Sequence, residues 1–147
     1  IQTQGGCINS EGGSARLSAV GTPAVSSDSL DLRVFDATSN SVTLLFSGTD
    51  LLPLMSSACP LGAGVSGALT DGLRCVGGDL QRHGVRATDA NGFAVYGASG
   101  TSGGLLVANG FAAGQTRAFQ AFYRDAASSP CGTGLNTTNA VLLQFVR

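Results

Sequence analysis

The stretch SLDLRVFD (29–36) decides the fold class, because apolar and polar side chains alternate along it residue by residue. In an extended strand, successive side chains point to opposite faces of the sheet. One face carries Leu30, Leu32 and Val34. The other face carries Asp31, Arg33 and Phe35. This period of two predicts a strand whose leucine face lies in a core and whose aspartate face meets water.

The same period recurs along the chain, while the longer period of an amphipathic helix is nearly absent. Further strands are predicted at 14–21, 41–48, 73–76, 79–88, 105–109, 116–124 and 138–147. Asn91-Gly92 predicts a type I′ hairpin turn, because that turn needs positive φ at both central positions. We therefore expect an all-β fold: an antiparallel β-sandwich of jelly-roll-like topology with about eight to nine strands.

The length and charge of the chain limit its function. Its 147 residues suffice for one domain, which we place at residues 7–147 behind an N-terminal arm of residues 1–6. The net charge is −1 and every basic residue is Arg, so no basic patch suits nucleic acid or an anionic membrane. The longest apolar runs are too short for a membrane span. Neither nucleic acid nor membrane is therefore an expected partner.

Four cysteines predict two disulfides formed in an oxidising compartment. Cys59 and Cys75 flank a glycine-rich loop of about 15 residues, whose closure contributes roughly 3 kcal/mol to stability. This pairing leaves Cys7 for Cys131, although the other pairings stay open. The chain starts with Ile1 and shows no signal peptide. We therefore expect a secreted protein, extracellular or at the cell surface, whose signal peptide has been removed.

Side chains that carry catalysis are sparse. His83 is the single histidine, and its neighbours Arg82 and Arg86 offer no carboxylate to orient its ring. No CxxC spacing accompanies it, so a zinc site is not expected. A pair of aspartates with glycosidase spacing is not apparent either. We predict that the chain is not an enzyme and holds no cofactor.

Two groups of aspartates resemble calcium ligands. The stretch 89–92 (DANG) lacks the remaining acidic ligands of a calcium loop, so a turn is favoured there. A second group is formed by Asp28, Asp31 and Asp36. The alternation in 29–36 places Asp31 opposite the leucines, which favours a solvated face over a metal site. No metal site is therefore predicted.

The stretch RAFQAFYRD (117–125) carries the most apparent chemistry. One interpretation is a sugar-binding ligand strip made of Gln120, Tyr123, Arg124 and Asp125. The favoured interpretation is a central strand buried on both faces. In that case one face carries Phe119, Ala121 and Tyr123, and the other carries Ala118, Gln120 and Phe122.

Asn136-Thr137-Thr138 fits the sequon for N-glycosylation, and we predict that it lies in a turn before the last strand. Asn136 is thus a candidate site for a covalent glycan. The many serines and threonines leave O-glycosylation open as well. Glycans, covalent or bound, are therefore among the expected partners.

GLRCVGGDLQR (72–82) and GQTRAFQAFYRDAASSPCGTGLNTTNAVLLQF (114–145) resemble a domain of secreted proteins from planctomycetes and myxobacteria. In that family a GFxCVGG segment is followed by FQxWYRDP and NxSNA. The stretch CINSEGGSARLSAVGTPAV (7–25) is similar to the family's opening. Phe122 stands where Trp is usual, and Ala126 where Pro is usual. The resemblance implies a secreted β-sandwich and supplies no catalytic residue.

The first residues predict an assembly function. A β-prone stretch precedes the hinge Gly5-Gly6, and its members are Ile1, Gln2, Thr3 and Gln4. Such a strand can complete an open sheet edge of a neighbouring copy, as bacterial pilins do by donor-strand complementation. Because the two contact surfaces differ, such contacts propagate head to tail into a homopolymer. We predict a subunit of an extracellular fibre.

Three alternatives to the fibre stay open. The arm is a frayed tail or folds back onto its own sheet through Cys7, or the chain is a carbohydrate-binding or adhesive module of a secreted protein. The third alternative is an anchoring or sorting domain.

Overall fold

The computed structural model describes residues 7–52, 70–100, 104–125 and 132–147, together with the backbone of residues 65–66. The strands are β1 (Arg16–Val20), β2 (Asp31–Phe35), β3 (Val42–Gly48), β4 (Asp50–Leu51), β5 (Val65–Ser66), β6 (Leu73–Arg74), β7 (Val76–Gly77), β8 (Gln81–Ala87), β9 (Ala94–Gly97), β10 (Thr116–Arg124), β11 (Leu135–Thr137) and β12 (Val141–Gln144). One short helix, α1, spans Leu105–Ala108.

Two antiparallel sheets form the sandwich. The first has the order β1-β2-β9, and the second has the order β11-β10-β3-β8 with β12 also paired to β10. The two-residue strands form the small pairs β4-β7 and β5-β6. The predicted all-β antiparallel sandwich is thus confirmed. The strand number of the whole chain and the jelly-roll-like topology stay predictions.

The main core lies between the two sheets. The first sheet contributes Leu17, Leu32, Val34 and Tyr96. The second sheet contributes Leu45, Phe119, Ala121, Tyr123 and Val141. Full burial of such a side chain contributes about 1.5–3 kcal/mol. A smaller cluster on the far side of the second sheet contains Phe46, Cys75, Val76, Ala118 and Ala140. The second sheet is therefore covered on both faces along β10.

The stretch that decided the fold class forms β2 and places its leucines in the core. Leu30, Leu32 and Val34 are each 0% exposed. The solvated face predicted for Asp31 is wrong, because its side chain is buried beside Ser99. Ser99 donates its N–H (3.0 Å) and hydroxyl (2.5 Å) to the carboxylate, and the Arg33 guanidinium lies 3.0 Å away. These partners replace the lost water.

The Asn91-Gly92 turn joins the two sheets rather than two paired strands, so the predicted hairpin is wrong. β8 belongs to the second sheet and β9 to the first. Gly92 has φ 70°, whereas Asn91 is not among the residues with positive φ. The Asp89 carboxylate instead accepts the N–H groups of Asn91 (2.8 Å) and Phe93 (2.9 Å). A Cβ on Gly92 would lie 1.8 Å from the carbonyl oxygen of Ala37.

Residues 105–108 form α1, where the sequence predicted a strand. The cause lies far away in the chain: the Asp28 carboxylate accepts the N–H groups of Leu106 (2.8 Å) and Val107 (2.9 Å). A distant carboxylate thus satisfies two of the N–H groups that a helix start leaves unpaired. A four-residue element is also too short to show a helical period. Within the described residues, no helix has the length and hydropathy that crossing a bilayer requires.

Candidate functional site

The strand that carried the predicted ligand strip is buried on both faces. Gln120 is 0% exposed, Tyr123 1% and Asp125 6%, and only Arg124 is exposed. This is the placement that the buried-strand interpretation expects. The strip therefore offers a ligand one accessible side chain.

Gln120 uses its amide to hold two neighbouring segments against β10. Its Nε2 donates to the carbonyl oxygens of Leu73 (2.8 Å) and Thr138 (2.7 Å), and its Oε1 accepts the N–H of Cys75 (2.8 Å). Both N–H donors of the amide and its oxygen thus bond to groups inside the protein. The polar character of Gln120 thus serves the fold.

The side chains of Asp125 and Tyr123 are also buried. The Asp125 carboxylate accepts the N–H of Ser10 at 3.1 and 3.2 Å and the hydroxyl of the same residue. Burial raises the pKa of the Tyr123 phenol, so it stays neutral at physiological pH. Both side chains are thus part of the protein interior.

The predicted turn at the sequon is wrong, because Asn136 lies in β11 and is 0% exposed. Its Nδ2 donates to the carbonyl oxygens of Ile8 (3.1 Å) and Cys7 (3.4 Å). A glycan is attached through this same nitrogen, so it would replace one of its two N–H donors and need space that the buried side chain does not have. The short strand β11 follows no clear alternation, which is why the sequence did not show it.

Several predicted features lie wholly or partly outside the described residues. They are the assembly strand Ile1, Gln2, Thr3 and Gln4, and the cysteines Cys59 and Cys131. Cys75 is fully buried. The pairings Cys59–Cys75 and Cys7–Cys131 therefore stay predictions. Across the described part of the chain, no cluster of His, Cys, Asp and Glu is arranged to hold a metal ion.

His83 lies in a hydrogen-bonded relay that the sequence did not reveal. Its Nδ1 is 2.8 Å from Asn109 Oδ1, and its Nε2 is 2.8 Å from Ser47 Oγ. Asn109 Nδ2 donates to the carbonyl oxygen of Leu105 (2.8 Å), which turns Oδ1 toward the imidazole. The ring therefore carries its proton on Nδ1 and accepts the Ser47 hydroxyl proton on Nε2.

The relay has the order of a serine, a base and an orienting residue. Ser47, however, is 0% exposed, so a substrate carbonyl has no route to its hydroxyl in this conformation. The His83 ring packs against Phe111 and Phe119, with centroids 5.5 and 5.6 Å away. Burial lowers the pKa of His83, and the Arg117 charge adds to this against the opposing Asn109 hydrogen bond. The absence of enzymatic activity stays a prediction.

A β-bulge gives β8 two chemically different faces. Leu44 pairs with Val85 and Phe46 with Arg82, so between these two pairs β8 contains one residue more than β3. Gly84, with φ 96°, lies within the bulge. As a result, His83 and Arg86 share one face although they are three residues apart. A glycine inside a predicted strand is the one sequence signal for this bulge.

The outer face of the second sheet carries an apolar groove beside β8. Its volume is about 380 Å³, and its wall includes Val42, Leu44, Val85, Phe122 and Leu135. Three of these side chains are strongly exposed: Val42 43%, Val85 56% and Leu135 39%. Arg82 and Arg124 also line it. In the part of the chain that the structure describes, no strand pairs with the other edge of β8.

No protein-family model matches the chain, and it matches neither a curated protein nor a solved structure. The resemblance to the planctomycete and myxobacterial domain therefore stays a prediction.

Proposed function

We propose that this protein is a structural subunit of an extracellular fibre, joined head to tail by strand exchange. The donor is the segment Ile1–Gln4 of one copy, and the acceptor is the outer edge of β8 in the next. The observation that carries the proposal is the conjunction of this edge with the apolar groove beside it.

The edge supplies the backbone half of such a contact. A strand at the border of a sheet leaves a row of N–H and C=O groups that another strand can pair with. The bulge at Gly84 interrupts this row, so the regular acceptor stretch is 85–87. A donor of four residues has the length to pair with it.

The groove supplies the side-chain half. In an extended donor, Ile1 and Thr3 share one face and Gln2 and Gln4 the other. Ile1 is therefore able to bury its side chain against Val85 while the glutamines remain in water. The donor carries no charged side chain, which suits the apolar part of the groove wall between Arg82 and Arg124.

The second candidate function, a carbohydrate-binding or adhesive module, finds less support. Sugar sites combine exposed aromatic rings with convergent polar groups. In the former strip, Gln120 and Tyr123 are buried, and the strongly exposed apolar side chains of the groove are aliphatic rather than aromatic. We therefore favour assembly over sugar binding.

An extracellular location is part of the proposal. The disulfide predicted at the buried Cys75 would fit an oxidising compartment, because cytosolic thiols are kept reduced. The resemblance to a secreted bacterial domain points in the same direction.

Negative-stain electron microscopy of the full chain and of a 7–147 variant tests the donor. We expect filaments from the full chain and single particles from the variant. Because the variant keeps β8 but lacks the donor, adding it to the full chain should shorten the filaments by capping one end. Filaments from the 7–147 variant would contradict the proposal.

Two matched substitutions test the acceptor. Val85→Arg places a charge on the apolar wall beside the β8 edge and should abolish filaments. Val20→Arg alters an exposed valine on the edge of the other sheet and should leave them intact. Equal loss in both variants, or loss in neither, would remove β8 as the acceptor.

A further inference from the structure

A cavity of about 190 Å³ lies behind β8, on the side opposite the apolar groove. It is enclosed by β8, β9 and the segment that contains α1. The wall residues that matter here are His83, Arg86, Tyr96, Leu105, Ala108 and Asn109. This volume is smaller than that of a typical drug-sized site, so its ligand is small.

Arg86 brings a positive charge to this cavity without a matching negative one. Its Nη1 donates to the carbonyl oxygen of Val85 (3.0 Å), and its Cζ lies 5.6 Å from the centroid of the Tyr96 ring. Its Nε is buried and has no hydrogen-bond partner within the described residues. A buried donor without a partner costs about 1–3 kcal/mol, so an acceptor at this place is favourable.

The acidic side chains near the cavity already have other partners. Asp28 accepts N–H groups of α1, and Asp31 accepts Ser99 and pairs with Arg33. Among the described residues, no carboxylate forms an ion pair with Arg86. The guanidinium fork therefore stays available for a carboxylate from outside the chain.

We propose that this cavity binds a small monocarboxylate, whose two oxygens pair with the Arg86 guanidinium. The ligand carries a single charge because, among the described residues that line the cavity, Arg86 alone is a permanent cation. His83 is neutral there and both of its nitrogens are already hydrogen-bonded. The apolar part of the ligand lies against Leu105, Ala108 and Tyr96.

The position of Arg86 in this cavity depends on the bulge in β8. In a regular strand, residues three apart lie on opposite faces, so Arg86 would point away from the cavity that His83 lines. The extra residue at the bulge reverses this and aims Arg86 inward. The site is independent of strand exchange, since it lies on the other face of β8.

Sodium acetate is the probe, titrated into isotope-labelled full-length protein that carries Val85→Arg and so should stay as single subunits, while the Nε–H resonances of the arginines are followed by NMR. Sodium chloride at equal ionic strength and neutral acetamide serve as reference titrations. We expect a saturable shift of the Arg86 resonance with acetate and none with acetamide. A shift that stays linear in acetate, or that chloride reproduces, would overturn the proposal.

Three variants make the test specific, with binding followed through the amide resonances of the cavity wall. Arg86→Gln should weaken acetate binding roughly ten- to hundredfold. Ala108→Phe keeps the charge but fills the cavity from a mostly exposed wall position, and it should also abolish saturable binding. Arg82→Gln removes a charge from the outer face of the same strand and should leave the affinity unchanged. Wild-type affinity in both cavity variants would contradict the site.

Discussion

β10 and β8 lie in the same sheet with only β3 between them, yet their side chains meet opposite surroundings. In β10 the side chains from Ala118 to Ala121 are all buried. In β8 no residue reaches that degree of burial. The central strand thus has neighbours on both edges and both faces, whereas the border strand has one edge without a paired strand among the described residues and an apolar groove beside it.

Residue types alone suggest that a functional site lies in β10, whereas the accessible polar side chains lie in β8. RAFQAFYRD contains aromatic rings, an amide and three charged side chains, yet most of its residues are buried in the protein. QRHGVRA has a single histidine and two arginines, and it carries the relay, the cavity and the open edge. Position in the sheet decides whether a polar side chain meets a ligand or another part of the same chain.

The largest expected effect is in the central strand. Gln120→Leu keeps the volume close to that of glutamine but removes the hydrogen bonds to the Cys75 N–H and the Thr138 carbonyl. Leu73 keeps an acceptor contact, because the Thr137 hydroxyl also donates to its carbonyl oxygen (3.1 Å). We expect the free energy of unfolding to fall by about 2–5 kcal/mol in chemical denaturation.

Arg124→Gln is the matched control on the same strand, because its side chain is exposed. It should change the free energy of unfolding by less than about 0.5 kcal/mol. If both substitutions had similar effects, β10 would not differ from a surface strand.

The next effect concerns the relay on the inner face of β8. Ser47→Ala removes the donor to His83 Nε2, and Asn109→Ala removes the acceptor at Nδ1. Each should lower the free energy of unfolding by about 1–3 kcal/mol. Because both act through one imidazole, the double variant should show a coupling energy of about 0.5–3 kcal/mol. Strict additivity in this cycle would show that the ring does not connect them.

A smaller effect is the pH dependence that His83 imposes. Burial lowers the pKa of His83 below 6.5 in the folded state, so the unfolded chain binds more protons as the pH falls through that value. The His83 contribution to stability is complete above pH 6.5 and is lost as the pH falls toward the folded-state pKa. The free energy of unfolding should decrease by up to about 1.4 kcal/mol per pH unit there.

His83→Gln provides the control, because His83 is the single histidine and its ordinary pKa lies in that window. Denaturation curves between about pH 7.5 and 5.5 should lose their slope in the variant. A slope of equal size with and without the imidazole would assign it to other groups.

The smallest effect is expected on the outer face of β8. Val85→Thr is nearly isosteric and β-branched, and the valine is 56% exposed. The free energy of unfolding should stay within about 0.5 kcal/mol of the unsubstituted protein. A loss above about 2 kcal/mol, measured in the isolated subunit, would mean that this groove is part of a core.

Several features of the fold were predictable from local sequence because their cause is local. Alternation of side chains in 29–36 and 116–124 depends only on strand geometry, and both segments are strands with the predicted core faces. Four of the details that were not predictable depend on residues far apart in the chain. The Asp28 carboxylate accepts N–H groups of the helix at 105–108, and Ser99 makes the burial of Asp31 favourable. The carbonyl oxygens of Cys7 and Ile8 hold Asn136. The strands β8 and β9 belong to different sheets, so the predicted hairpin does not form.

The sequence by itself determined the all-β class and the central place of RAFQAFYRD, because a period of two and a run of apolar residues act within a few positions of the chain. Tertiary structure alone decided where the proposed ligand and the proposed second copy would bind. Strand order made β8 a border strand, and one extra residue against β3 turned Arg86 inward beside His83. Pairing register and sheet order arise from contacts between distant segments, and local patterns of residue type do not encode them.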